Sequence, residues 1–352
     1  MAFPFFKRRT RTDVYLVGDG HGWASDNNTK DIRAAMIRRG LSCECGTDPS
    51  AMRRGAVLYV SRYALVHKRQ RAVIRRNRAY VIWFHGDPAD VEFAALFGQV
   101  MERLPQMQKL ITSCRITLGQ LQHAGVPPAQ LALVPLGVDL QQYRPATADE
   151  RAAMRAKLGI SPDALVVGSF MKDGSGFGDG MEAKPIKGPD ALVRTLTQLH
   201  ARFPSLVALL SAPARGYVKQ RLDEAGVPYR HVVAEGQAGL ATLYHATDIS
   251  LITSRCEGGP MTLLESMASR VPVVSTRVGM CADVIRHGEN SMLAEVDDID
   301  ALVAHVAQLA DDPDLRAALG SAAVADAAGY AWPIIADRYW QMMFGDADHP
   351  QP

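Results

Sequence analysis

Short apolar runs recur along this 352-residue chain, and what separates them is helix-compatible sequence rather than hairpin turns. That alternation excludes most folds. Antiparallel strands can be joined by two residues, whereas parallel strands need a crossover, usually a helix. The runs are Asp13–Gly18, Ala56–Val60, Tyr80–Phe84 and Lys109–Thr112, with Leu131–Asp139 closing the series before a polar segment. They start again at Ala164–Phe170 and continue through Leu206–Leu210, His231–Val233, Asp248–Ser254 and Val271–Ser275. The pattern predicts two α/β halves, each on a parallel sheet. Length agrees, since a chain of this size exceeds what one core usually supports. The join is expected between Asp139 and Arg151, where Pro145 and mixed polar residues interrupt the pattern.

The formal net charge of +2 hides an asymmetry. Residues 1–145 hold 21 Lys and Arg against 11 Asp and Glu, net +10, and the remainder is net −8. A basic first half suits an anionic acceptor or an acidic membrane surface. Its basic residues concentrate in Lys7–Arg11 and His67–Arg78, where Arg71 and Arg75 stand one helical turn apart. The opening Met-Ala-Phe-Pro-Phe-Phe could dip into a membrane interface. No run of about 18 apolar residues, the length that would span one, occurs in the sequence. The expectation is a cytoplasmic protein, at most at the inner face of the membrane. Neither basic cluster has the aromatic interleaving of a strand-binding module, so nucleic acid is not an expected partner. Five dispersed cysteines argue for a reducing compartment, and Cys43 and Cys45 read as positions on a short strand rather than a metal pair.

Chemistry concentrates in Glu257-Gly-Gly-Pro-Met-Thr-Leu-Leu-Glu265. A buried strand precedes it and a helix from Pro260 to Ser269 follows, with Pro in its first turn. Gly258 and Gly259 therefore occupy a strand-to-helix turn, whose unpaired N–H groups and helix dipole favour an anion such as phosphate. His85 stands just past a predicted strand, at the sheet edge where ligands bind. Asp87 beside it would raise its pKa. Gly18-Asp-Gly-His-Gly22 forms a glycine loop after the first strand, with spacing wrong for a dinucleotide fingerprint. Lys187-Gly-Pro-Asp190 opens another helix, with Lys187 placed as a point charge.

In order and spacing, Tyr244–Ile249, the Glu257–Glu265 run with its flanks, Val271–Thr276 and Gly288-Glu-Asn resemble the family-4 retaining glycosyltransferases, glycosyl transferases group 1 with the E-x7-E motif. The resemblance covers most of residues 134–340. It implies the GT-B fold, two Rossmann-like domains with parallel sheets facing across a cleft. Residues 1–145 would form the acceptor-side domain and 146–330 the donor domain. A last helix in 331–345, with Trp332, Tyr339 and Trp340, would cross back to the first. The activity implied is metal-independent transfer of a hexose-type sugar, with retention, from a nucleotide-diphosphate sugar to a hydroxyl acceptor, lipid-linked or anionic, in glycan or glycolipid synthesis.

Carried over residue by residue, Glu257 meets the donor sugar, Gly258, Gly259, Pro260, Met261 and Thr262 hold the diphosphate, and Glu265 binds the ribose. His85 lies near the transferred carbon, and Gly18 and Gly20 line the cleft. Base recognition is expected at the loop after His231–Val233, near Glu235 and Gly236, whose residues do not choose among uracil, guanine and adenine. The family's Gly-Arg after the first donor-domain strand is missing. Gly168-Ser-Phe-Met-Lys-Asp173 replaces it, so Lys172, with Lys184 behind it, is the expected second cation, on a segment that could be a mobile flap. Lys187→Ala is expected to stop turnover with folding intact. Asp346-Ala-Asp348 reads as a metal-binding D-x-D but lies in a polar tail, and no metal or cofactor is expected. The rival readings are a nucleotide-sugar epimerase or phosphorylase on the same fold, and an inactive binding scaffold.

Overall fold

The computed structural model describes residues 12–18, 20, 24–52, 54–65, 69–176 and 178–345. The Met1–Arg11 segment, Asp19, His21, Gly22, His67, Lys68 and the Asp346–Asp348 motif lie outside them. The first sheet comprises β1 (Val14–Val17), β2 (Cys43–Gly46), β3 (Ala56–Tyr59), β4 (Arg78–Ile82), β5 (Lys109–Thr112) and β6 (Leu131–Leu133). Its spatial order is β2-β1-β3-β4-β5-β6, all parallel. The second comprises β7 (Val166–Ser169), β8 (Val207–Ser211), β9 (Tyr229–Val232), β10 (Ile249–Ile252), β11 (Val273–Thr276) and β12 (Met292–Ala294). Its order is β12-β11-β10-β7-β8-β9, again parallel throughout.

Burial explains which strands the sequence announces. Every residue of β3, β7, β10 and β11 is buried, as central strands covered on both faces must be. Two strands are nearly silent. The edge strand β2, Cys-Glu-Cys-Gly, buries only Cys43, and β12 has three residues. The five cysteines are free.

Strand order also fixes where ligands go. In open parallel sheets the binding crevice lies outside the carboxyl ends of the strands where the winding reverses. Here those points fall between β1 and β3 in one sheet and between β7 and β10 in the other. The segments leaving them carry the glycine loop, Arg62, Lys187 and Glu257.

The chain passes between the halves twice. Val138 and Ala331 form a parallel bridge, with the Val138 N–H donating to Tyr330 O (2.9 Å) and the Trp332 N–H donating to Val138 O (3.1 Å). The helix Trp332–Phe344 then buries Trp332, Ile335, Tyr339 and Trp340 in one cluster with Leu16 of β1, Leu58 of β3 and Ile82 of β4. Among the described residues no helix is long and apolar enough to cross a membrane.

Candidate functional site

The helix of the Glu257–Glu265 run spans Met261–Ala268, with Pro260 just before its first residue. The amides of Met261 and Thr262 therefore have no acceptor within the helix. The turn before it packs without side chains. A Cβ on Gly258 would lie 1.7 Å from the carbonyl oxygen of Phe84, past β4, and one on Gly259 would meet Met280 and Leu136 within 3 Å. Gly258 thus brings the second half's loop directly onto the backbone of the first. Thr262 is buried, and its hydroxyl has no hydrogen-bond partner among the described residues.

Glu257 is almost wholly buried, and its Oε1 accepts from Lys187 Nζ at 2.5 Å and from the Ser254 hydroxyl at 2.9 Å. Burial alone would raise its pKa, but Lys187 and the Ser254 hydrogen bond hold it below the ordinary carboxylate value. Truncating Lys187 would strand a buried carboxylate, which argues that Lys187→Ala costs stability as well as turnover, against the expectation of intact folding. Lys187 reaches this position because Gly188, at φ +59°, packs against Thr253 just past β10, where an added Cβ would fall 2.0 Å from the Thr253 carbonyl oxygen. The Ile186 carbonyl accepts from the amides of Arg255 and Cys256, and Arg255 grips Asp190 through both guanidinium nitrogens at 2.7 and 2.8 Å.

The described residues between β7 and Lys187 make contacts with one another and with Arg215. Gly174 and Ala183 pair as an antiparallel bridge, and the Lys184 amide donates to Asp173 O at 2.8 Å. Arg215, fully buried, ties the base of this turn together: it pairs with Asp173 at 3.1 Å and donates to the carbonyls of Ser169 and Met171. Burial pushes the Asp173 carboxyl up to about 6 against the pull of Arg215. Lys172 donates to Gly176 O within the turn at 2.5 Å. Lys184 has no ion-pair partner among the described residues, and its pKa is lowered by burial and by Lys187 beside it. Lys184 and Lys187 are thus neighbouring cations.

His85 is half-buried past β4, its ring edge-on to Phe93 at 5.9 Å between centroids. Its pKa falls to about 3 through burial and the Arg62 charge, with Lys187 and Lys184 adding to the fall and Glu257 opposing it. The expected partnership with Asp87 is absent. That carboxylate accepts from the Ala89 amide at 2.9 Å, and His85 is lowered rather than raised. A neutral imidazole offers one N–H and one lone pair and carries no charge near neutral pH. Sequence reading missed Arg62, which is 4% exposed, stacks 4.1 Å over Trp83 and donates to the His85 carbonyl. Its one signal was position, an arginine immediately past a buried run. In the glycine loop, the Gly18 amide donates to Gly46 O at 3.1 Å and Gly20 is exposed with φ +75°.

Glu265 is also buried, and its hydrogen-bond partners are tyrosine hydroxyls rather than an ammonium. Tyr244 donates to its Oε2 at 3.0 Å, and burial raises its pKa to about 7. It lines a cavity of about 690 Å³ with Met261, Phe170 and Glu235 from the second half, Asp31 from the helix Ala24–Arg38 of the first, and Asp139 at the crossing. Gly236 lines it too; Glu257, Lys187 and His85 lie outside its lining. Burial and Asp139 push Asp31 up to about 6. No group of three His, Cys, Asp or Glu suited to a metal ion occurs among the described residues.

Residues 182–326 match the family model described as glycosyl transferases group 1. Among curated proteins, a D-inositol 3-phosphate glycosyltransferase of Thermobispora bispora is 32% identical over 235 residues, 62% of this chain and 51% of the relative. One from Streptomyces scabiei is 30% identical over 239 residues, 64% of this chain and 51% of the relative. The chain spans about half the length of these relatives. Among solved structures, Anabaena Alr3699/HepE in complex with UDP-glucose superposes with a TM-score of 0.75 at 17% identity, covering 93% of this chain and 98% of that one. Sucrose-phosphate synthase from Thermosynechococcus elongatus gives 0.74 at 16%, covering 94% and 97%. These likenesses establish the fold as GT-B, two Rossmann-like halves with parallel sheets.

Proposed function

We propose that this chain is a retaining, metal-independent glycosyltransferase of group 1, moving a hexose-type sugar from a nucleotide-diphosphate sugar to a hydroxyl acceptor. The observation that carries the reading is the meeting of His85, from the first sheet's edge, with Lys184, Lys187 and Glu257 from the second's. Residues 1–145 serve the acceptor and 146–330 the donor. The ribose and base occupy the cavity beside Glu265 and Glu235. The diphosphate lies on the amides of Met261 and Thr262 with Lys187 and Lys184, so Lys184 takes the place of the missing arginine and Lys172 holds the turn that presents it. Glu257, kept anionic by Lys187, accepts from sugar hydroxyls, and neutral His85 orients the sugar or the acceptor.

In the transfer, the acceptor oxygen bonds to the anomeric carbon on the face from which the sugar–phosphate bond breaks. The acceptor proton passes to an oxygen of the departing nucleoside diphosphate. Fixed amides and cations stabilise charge where it develops, so no protein nucleophile is needed. The acceptor is lipid-linked or otherwise anionic, and the basic first half, with exposed Arg71 and Arg75, meets acidic membrane from the cytoplasmic side.

UDP-glucose, which the HepE structure contains, is the donor to try first. A thermal-shift comparison of UDP, GDP and ADP identifies the base, because a bound ligand stabilises by mass action. Proton NMR of the product then reads the anomeric outcome: retention is expected, and inversion would sink the mechanism. Lys184→Ala should cost on the order of 10²-fold in turnover, and Lys172→Ala much less. The reverse order would return the second cation to Lys172.

A further inference from the structure

Where the two halves meet beside the chain crossing there is a second, smaller cavity of about 140 Å³, separate from the donor cleft. That is room for about four or five waters at roughly 30 Å³ each, or one tetrahedral oxyanion with a water. Its walls come from three places: Ser113 and Arg115 past β5, Asp283 from the second half, and Tyr330 with Arg338 from the returning segment.

The polar groups do not balance one another. Ser113 is 2% exposed, and its buried hydroxyl has no hydrogen-bond partner among the described residues. Asp283 is already committed, accepting from the Arg115 amide at 2.8 Å at the start of the helix Arg115–His123, with the Arg115 guanidinium 3.9 Å away. Arg338 is exposed and pairs with no acid among the described residues. Two guanidiniums against one carboxylate leave an excess positive charge beside a buried, unpaired hydroxyl. A hydroxyl can donate to an anion, and an arginine fork matches phosphate oxygens.

We infer that this seam cavity binds a phosphate group, through the Ser113 hydroxyl and the guanidiniums of Arg338 and Arg115. Because its walls belong to both halves and to the returning segment, the bound group fastens the halves together at the crossing. None of the three residues proposed to hold the phosphate belongs to the cluster around Glu257, although Met280 of the cavity wall packs against Gly259.

The test is calorimetric titration of inorganic phosphate into the full chain at constant ionic strength, with chloride as the control anion. Saturable binding is expected, at least tenfold weaker in Arg338→Gln and in Ser113→Ala, and unchanged in Lys184→Gln, which alters only the donor cleft. Both seam variants should keep the wild-type far-UV spectrum, since one changes an exposed side chain and the other removes a single hydroxyl. Methyl phosphate separates the sources. Tighter binding of the ester assigns the site to a phosphate carried by a larger molecule, and tighter binding of the free ion assigns it to inorganic phosphate. Failure of the wild type to bind either, or loss of binding in Lys184→Gln with both seam variants intact, would overturn the assignment.

Discussion

Glu257 and Glu265 are the same residue type, eight positions apart and both buried, yet they sit in opposite electrical surroundings. At the first end an ammonium lies against the carboxylate and keeps it charged. At the second end the near neighbours are tyrosine hydroxyls, and burial lifts the carboxyl to about 7. Burial therefore does not decide protonation; the partner that accompanies it does. The Glu257 end is built to present fixed negative charge, whereas the Glu265 end can accept or donate hydrogen bonds according to pH. Two carboxylates that look equivalent in a motif are different chemical groups in the fold.

The largest test of this contrast removes the ammonium. Lys187→Ala should cost roughly 3–5 kcal/mol, the usual penalty for stranding one member of a buried pair, and lower transfer on the order of 10²- to 10³-fold. Adding Glu257→Gln should recover most of the melting temperature and none of the activity. A single variant that melts like the wild type would show that the pair does not hold Glu257.

The second end predicts a pH effect of definite sign. A carboxyl whose folded pKa lies above its unfolded value contributes stability that is complete below about 4.5 and lost as pH climbs through about 7. The shift is worth roughly 3 kcal/mol. Glu257 works the other way, contributing stability above its ordinary value that is lost in acid. Chemical denaturation across this range should therefore give a flatter curve for Glu265→Gln than for the wild type; identical curves would leave the raised carboxyl without support. The smallest change is Tyr244→Phe. Loss of one hydrogen bond to Glu265 should cost about 1 kcal/mol and move the alkaline loss of stability to higher pH, because the anionic form loses a donor.

Much of this was legible in the chain because it rests on local pattern. The parallel sheets follow from alternating apolar runs, and the turn at Gly258 from a strand, two glycines and a proline. What stayed hidden depends on partners far apart in sequence. Nothing near Asp87 says that its carboxylate will turn to the Ala89 amide, or that burial and then Arg62, 23 residues before His85, will lower the imidazole. Arg215 lies beyond another strand from the turn it anchors. The proposal of Lys184 over Lys172 rests on contacts the sequence does not announce: Lys172 donates to Gly176 O, whereas Lys184 has no ion-pair partner among the described residues. Short edge strands such as β12 leave too few residues for any period to register.

The second crossing at Ala331 has a consequence for how the protein is made. Trp332, Ile335, Tyr339 and Trp340 complete the apolar layer over β1, β3 and β4, although some 250 residues separate them from the last of those strands. During synthesis the half encoded first must wait, with that face uncovered, until the half encoded second has left the ribosome. Domains usually fold in the order of their translation; here the earlier half is finished last.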